Sequence, residues 1–160
     1  LQWKHAAWGY FKSEFSQFLD YVRKELGYNV EYASMCENFR QSDRAAAGEI
    51  INQMTYRNYQ QLLPPLPENF SEITKIVSSY ELVFTQRFHG AILADICQTP
   101  FISIAHHDKL KNVNGLVLSY YESSKHSFIN SMETAKNYKK EPIDTSAFLD
   151  LKNRVLEILG

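Results

Sequence analysis

Apolar residues recur at spacings of three and four from Trp8 to Leu26, at Trp8, Phe11, Phe15, Phe18, Leu19, Val22 and Leu26. That spacing predicts one face of an amphipathic helix, and Gly27 supplies a natural stop. Tyr28 to Met35 alternates enough to read as a short strand, and a polar loop carries Cys36 to Ser42. Ser42 or Asp43 can cap a second helix bearing Ala45, Ala46, Ala47, Ile50, Ile51 and Met54. Part of Tyr56 to Leu63 reads as a short strand, before Pro64-Pro65-Leu66-Pro67 breaks regular structure within the domain. Asn69 or Ser71 starts a third helix through Ile73, Ile76 and Val77 that ends near Tyr80. The run Leu82 to Thr85 is of strand type, and His89 to Cys97 reads as a helix turning Ile92, Leu93 and Ile96 inward. Thr99-Pro100 ends it, and Phe101 to Ala105 is another buried strand. A further helix is expected between Lys109 and Tyr121, weakened by Gly115, and a last one over Ser146 to Leu159.

Strands alternating with helices predict an α/β fold, a three-layer Rossmann-like parallel sheet with helices on both faces. The two central strands are apolar throughout, as parallel strands covered on both sides should be. One domain over residues 1–160 suits this length. A domain of this kind usually begins with a strand, whereas this chain opens almost directly into a helix, the pattern expected of one lobe of a larger protein.

Composition narrows the function classes. Apolar residues make up 44% of the chain, enough for a sizeable core. Lys and Arg number 17 against 18 Asp and Glu, so no global field draws in nucleic acid or an anionic membrane. An anion must be held by a local site. No apolar run approaches the roughly 20 residues of a membrane span, and the start lacks the basic and apolar regions of a secretory signal. Cys36 and Cys97 stand far apart in unlike contexts, which predicts reduced, structural thiols in a cytoplasmic protein. The ten Tyr, ten Phe and two Trp serve first as packing residues.

In an open parallel sheet, ligands bind beyond the carboxyl ends of the strands. Two such ends carry chemistry: Thr85-Gln86-Arg87-Phe88-His89-Gly90 and Ala105-His106-His107-Asp108-Lys109. Consecutive strands are usually neighbours, so both loops should face one cavity. Arg87 offers a planar fork for a carboxylate or phosphate. The amides of His89, Gly90 and Ala91 begin a helix and favour an anion, and Gly90 lets a ligand approach the backbone. Histidine ordinarily titrates near neutrality, which suits His89 to acid or base work. Lys109 adds a second positive charge. Each residue also has a structural role open to it: salt bridge for Arg87, cap or packing for His89, caps for Asp43 and Asp108. The pair His106-His107 lacks a third ligand in spacing, so no metal is expected.

The run Phe84 to Ala94, then Thr99 to Ile104 and Asp108-Lys109, resembles the signature of polysaccharide pyruvyl transferases. That family shows an Arg-apolar-His motif opening a helix, then a Pro step, a buried strand and an Asp-Lys-like end. Asn38 to Ile51 resembles an earlier family segment, and Trp3-Lys4 resembles the end of the domain's first strand. The resemblance implies the C-terminal lobe of a two-lobed fold similar to GT-B glycosyltransferases. It implies transfer of a pyruvyl group from phosphoenolpyruvate to a sugar hydroxyl of a polysaccharide or glycan precursor, forming a pyruvate ketal. Phosphoenolpyruvate is then the donor substrate, a glycan or lipid-linked sugar the acceptor, and no cofactor is expected. Arg87 and His89 become catalytic residues, with Phe88, Gly90, His106, His107, Asp108 and Lys109 completing the substrate site. The acceptor site would be built across both lobes, the N-terminal one lying outside this sequence. Phe88 is bulkier than the leucine more usual there, and His106-His107 stand where an aromatic residue is more usual. Two alternatives remain open: a nucleotide-sugar half of a GT-B glycosyltransferase, and a non-catalytic glycan-binding module of the same fold. No carboxylate is clearly placed for a nucleotide ribose, since Asp95 falls inside a predicted helix.

Overall fold

Three parallel strands carry the centre of the computed structural model, which describes residues 2–38, 41–64, 66–67, 69–106, 108–113 and 115–137. In chain order the elements are α1 (Gln2–Lys24), the short strands β1 (Glu37–Asn38) and β2 (Gln41–Ser42), and α2 (Asp43–Gln53). A 3-10 turn at Tyr59–Gln61 precedes α3 (Phe70–Ser78), β3 (Val83–Thr85), α4 (Phe88–Ile96) and β4 (Phe101–Ala105). A second 3-10 turn at Asp108–Asn112, β5 (Leu116–Ser119) and α5 (Lys125–Asn137) complete the described fold. The main sheet has the order β3-β4-β5, all parallel, with Thr85 opposite Ser103 and Ala105 opposite Ser119. The carboxyl ends of all three strands therefore lie along one edge.

Successive strand residues face opposite sides, and the two sides have different covers. Phe84, Ile102, Ile104, Leu116 and Leu118 pack with residues of α1, α2 and α5, while Val83 and Phe101 pack with Val77 of α3 and Ala91 and Ala94 of α4. The sheet is thus covered by helices on both faces, and every residue of β4 is buried. At the centre of the larger core, Phe128 of α5 meets Phe15 (5.0 Å between ring centroids), Phe18 (5.4 Å) and Phe11 (6.0 Å) of α1. Ser16 fixes α1 on α2 by donating its buried hydroxyl to Ile50 O at 3.0 Å, and Asp20 accepts from the amides of Thr55 and Tyr56 just past α2. Among the described residues, no helix is long and apolar enough to cross a membrane.

Several expectations change. Trp3 and Lys4 lie in the first turns of α1, not at a strand end. Tyr28 to Met35 and Tyr56 to Leu63 form no ladder; they meet in one parallel bridge, Tyr32 with Leu62. Tyr32 N donates to Gln61 O and Leu63 N to Tyr32 O, but Pro64 follows, and proline has no N–H with which to continue. The expected helix over Lys109 to Tyr121 is a 3-10 turn followed by β5. Gly115 opens that strand because a Cβ there would stand 2.5 Å from the Phe101 ring. In α4, Ile92 and Ile96 point outward at 40% and 46% exposure, while Gly90, Ala91, Leu93 and Ala94 face the sheet. The helix lies too close to β3 and β4 for large residues along most of that face. The predicted helix over Ser146 to Leu159 lies outside the described residues. Helix α5 was not expected, although Phe128, Met132 and Ala135 keep helical spacing and are buried.

Tyr32 gives this packing a pH signature. Burial pushes its phenol up to about 12 from the ordinary 10. A raised phenol favours the neutral form in the folded state, so its contribution is complete below pH 10 and is lost as pH rises towards 12. Unfolding free energies from urea titrations at pH 8 and pH 11 should fall more for the wild type than for Tyr32→Phe, by about 1.4 kcal/mol.

Candidate functional site

The turn from β3 into α4 is held by Thr85. Its buried hydroxyl accepts from Arg87 N at 3.1 Å and donates to Arg87 O at 3.0 Å. Arg87 is the N-cap of α4 in extended conformation, and its side chain makes no capping hydrogen bond. The first bond into the helix runs from Ala91 N to Arg87 O, so the amides of Phe88, His89 and Gly90 precede it and present positive ends at the strand edge. Gly90 is buried there, and a Cβ would collide with Thr85 Oγ1 and lie 3.1 Å from Met35 Sδ. Only glycine permits this approach of helix, strand and the Met35 segment.

Arg87 forms an ion pair with Asp43. Nε and Nη2 both donate to Asp43 Oδ1, at 2.9 and 2.5 Å, with the side chains 34% and 21% exposed. The hydrogen bond to Asp43 raises the guanidinium above its ordinary range; burial opposes this, and the Asp43 charge and Cys36 reinforce it. Asp43 Oδ2 accepts from Met35 N at 3.0 Å, and Asp43 N donates to Cys36 O. One carboxylate therefore joins the start of α2, the Met35–Cys36 segment and the start of α4.

His89 is exposed on the first turn of α4, edge-on to Phe88 with ring centroids 6.1 Å apart. Phe88 is 40% exposed. At the end of β4, His106 is half-buried and tilted against Tyr120, 6.0 Å between centroids. Asp108 is exposed and pairs with Lys111 at 2.9 Å. His107 and the Lys109 side chain lie outside the described residues, although the Lys109 backbone belongs to the 3-10 turn. The adjacent parallel pairing of β3 and β4 puts the segments that carry Arg87 and His106 at the same edge of the sheet. Tyr120, stacked on Phe11 at 4.8 Å and with its phenol pushed up to about 12 by burial, extends that edge past β5. Among the described residues, no three His, Cys, Asp or Glu side chains gather closely enough to hold a metal. Cys36 and Cys97 form no disulfide.

The sequence offers Ser42 or Asp43 as the cap of α2 and gives Met35 and Thr85 no role of their own. The structure makes Ser42 the N-cap, its hydroxyl accepting from Ala45 N. Two cap-capable residues in tandem were the available signal, since one helix start needs one cap.

No curated protein and no solved structure matches the chain. The family model of polysaccharide pyruvyl transferases matches residues 4–108, a span that holds Asp43, the whole β3–α4 turn and the end of β4. By that match over more than half its length, the chain belongs to the polysaccharide pyruvyl transferase family.

Proposed function

We propose that the edge at Arg87 and the start of α4 is the donor site of pyruvyl transfer from phosphoenolpyruvate to sugar hydroxyls, forming a pyruvate ketal. One observation carries the reading: within a chain of this family, Arg87 stands fixed by Asp43 at the start of α4 beside an exposed histidine. Phosphoenolpyruvate brings a carboxylate and a phosphate, and both call for charged or amide donors. A guanidinium presents a planar fork that suits such groups. Arg87 and the α4 amides hold the donor anion, and Lys109 assists. The same reading assigns Phe88, Gly90, His106, His107 and Asp108 to the surrounding substrate site.

In the reaction, the enol C=C pair takes a proton at its methylene carbon while a sugar hydroxyl gives up its proton and its oxygen bonds to the central carbon. Phosphate leaves with the C–O electron pair, and a second sugar hydroxyl closes the ketal as its proton passes to the phosphate. His89 acts as the acid, either towards the methylene carbon or towards the departing phosphate. The same proposal takes the fold as the C-terminal lobe of a GT-B-like enzyme of exopolysaccharide synthesis, working in the cytoplasm, with the acceptor surface completed by a second lobe.

Titration of isotope-labelled protein with phosphoenolpyruvate, with a nucleotide-sugar in parallel, tests the site. Amide shifts confined to 87–91 and 106–109 with phosphoenolpyruvate alone are expected. Shifts with the nucleotide-sugar alone would favour the glycosyltransferase reading, and silence with both would remove the donor site. Arg87→Lys keeps the charge and loses the fork, so the dissociation constant for phosphoenolpyruvate should rise about tenfold, the worth of one charge-assisted hydrogen bond.

A further inference from the structure

The carboxylate of Asp43 raises a question of sign. A negative group against the cation of an anion site should weaken anion binding by charge alone, yet here Arg87 is held by one. The geometry supplies a compensating benefit. Asp43 is the first residue of α2, whose start Ser42 already caps, so its side chain is not needed there. Oδ1 takes Arg87 Nε and Nη2 together, and Oδ2 takes Met35 N. The first contact fixes the plane of the guanidinium at the strand edge. The second fixes the segment whose thioether lies against Gly90 on the first turn of α4. A long, flexible side chain that is ordered before the ligand arrives loses less freedom on binding, and a fork held in one plane favours a planar carboxylate over a merely charged ion.

We propose that Asp43 is the positioning residue of the donor site: it orients Arg87, and sets Met35 over the start of α4, for the carboxylate of phosphoenolpyruvate. This rests on the donor-site reading above. Asp43 acts through Arg87 and touches no reacting atom. Its removal should therefore weaken donor binding although the site becomes more positive, the opposite of what charge alone predicts.

The test is a double-mutant cycle on the full chain, with dissociation constants for phosphoenolpyruvate and for inorganic phosphate measured by calorimetry. Asp43→Asn keeps the size and an acceptor oxygen. It should raise the phosphoenolpyruvate constant about tenfold while the inorganic phosphate constant stays level or falls. In the Arg87→Lys background the same substitution should have no further effect. Ser42→Ala, which removes the cap on Ala45 N and so loosens the start of α2, separates positioning from loss of helix order and should leave both constants within about twofold. An unchanged or lower phosphoenolpyruvate constant in Asp43→Asn overturns the proposal. So does an equal effect in the Arg87→Lys background, or an equal effect of Ser42→Ala. If wild type binds no phosphoenolpyruvate, or Arg87→Lys binds it as well as wild type does, the donor-site reading falls and this inference with it; the Asp43 result alone leaves that reading standing.

Discussion

His89→Ala should leave the protein folded and lower pyruvyl transfer by about 10²- to 10⁴-fold, the usual contribution of a positioned proton donor. The side chain is exposed on the first turn of α4, and its ring contact is with Phe88. Alanine is a good helix former, and an exposed substitution changes stability by about 0.5 kcal/mol or less. The measurement is phosphate released from phosphoenolpyruvate in the presence of an oligosaccharide panel, with the melting temperature of each variant alongside. Because the donor anion is assigned to Arg87 and the helix amides, kcat should fall while the KM for phosphoenolpyruvate changes little. Turnover within about twofold of wild type would remove His89 from the chemistry. A loss confined to KM would make it a binding residue instead.

Phe128→Ala should destabilise the fold by about 3–5 kcal/mol, the range for deleting a buried aromatic ring. Phe128 is fully buried, and its ring meets Phe11, Phe15 and Phe18 of α1 and Phe84 of β3. It is the point at which α5 closes one face of the sheet, and the rings around it leave little room to collapse into the space. Urea unfolding should show a lower midpoint at unchanged slope. Phe70→Ala, at a position 59% exposed, provides the contrast and should shift the midpoint little. A Phe128→Ala loss below about 1 kcal/mol would mean that α5 does not close the core.

The alternation of local patterns was enough to place most elements. In α1, Phe11, Phe15, Phe18, Leu19 and Val22 repeat with the period of a helix and are all buried; β3 and β4 are short, mainly apolar runs, and β4 is buried throughout. The candidate site was legible to the same degree, since Arg87 and His89 sit at the turn from such a strand into a helix. The misreadings share a cause. Leu116 to Leu118 was taken into a helix because a short apolar run has no period of its own, and only pairing with β4 makes it a strand. Ile92 and Ile96 were turned inward by spacing, whereas close approach to the sheet favours the small residues of α4.

By itself, then, the sequence determined the α/β order, the placement of Arg87 and His89 between a strand and a helix, and the family to which its motifs belong. These depend on interactions within a few residues along the chain: side-chain period, helix caps, and the turn between strand and helix. The tertiary structure alone decided that Arg87 is held by Asp43, that Met35 covers Gly90, and that α5 closes the aromatic core. Those contacts join residues 44, 55 and more than 100 positions apart, and no local pattern encodes a partner at that separation.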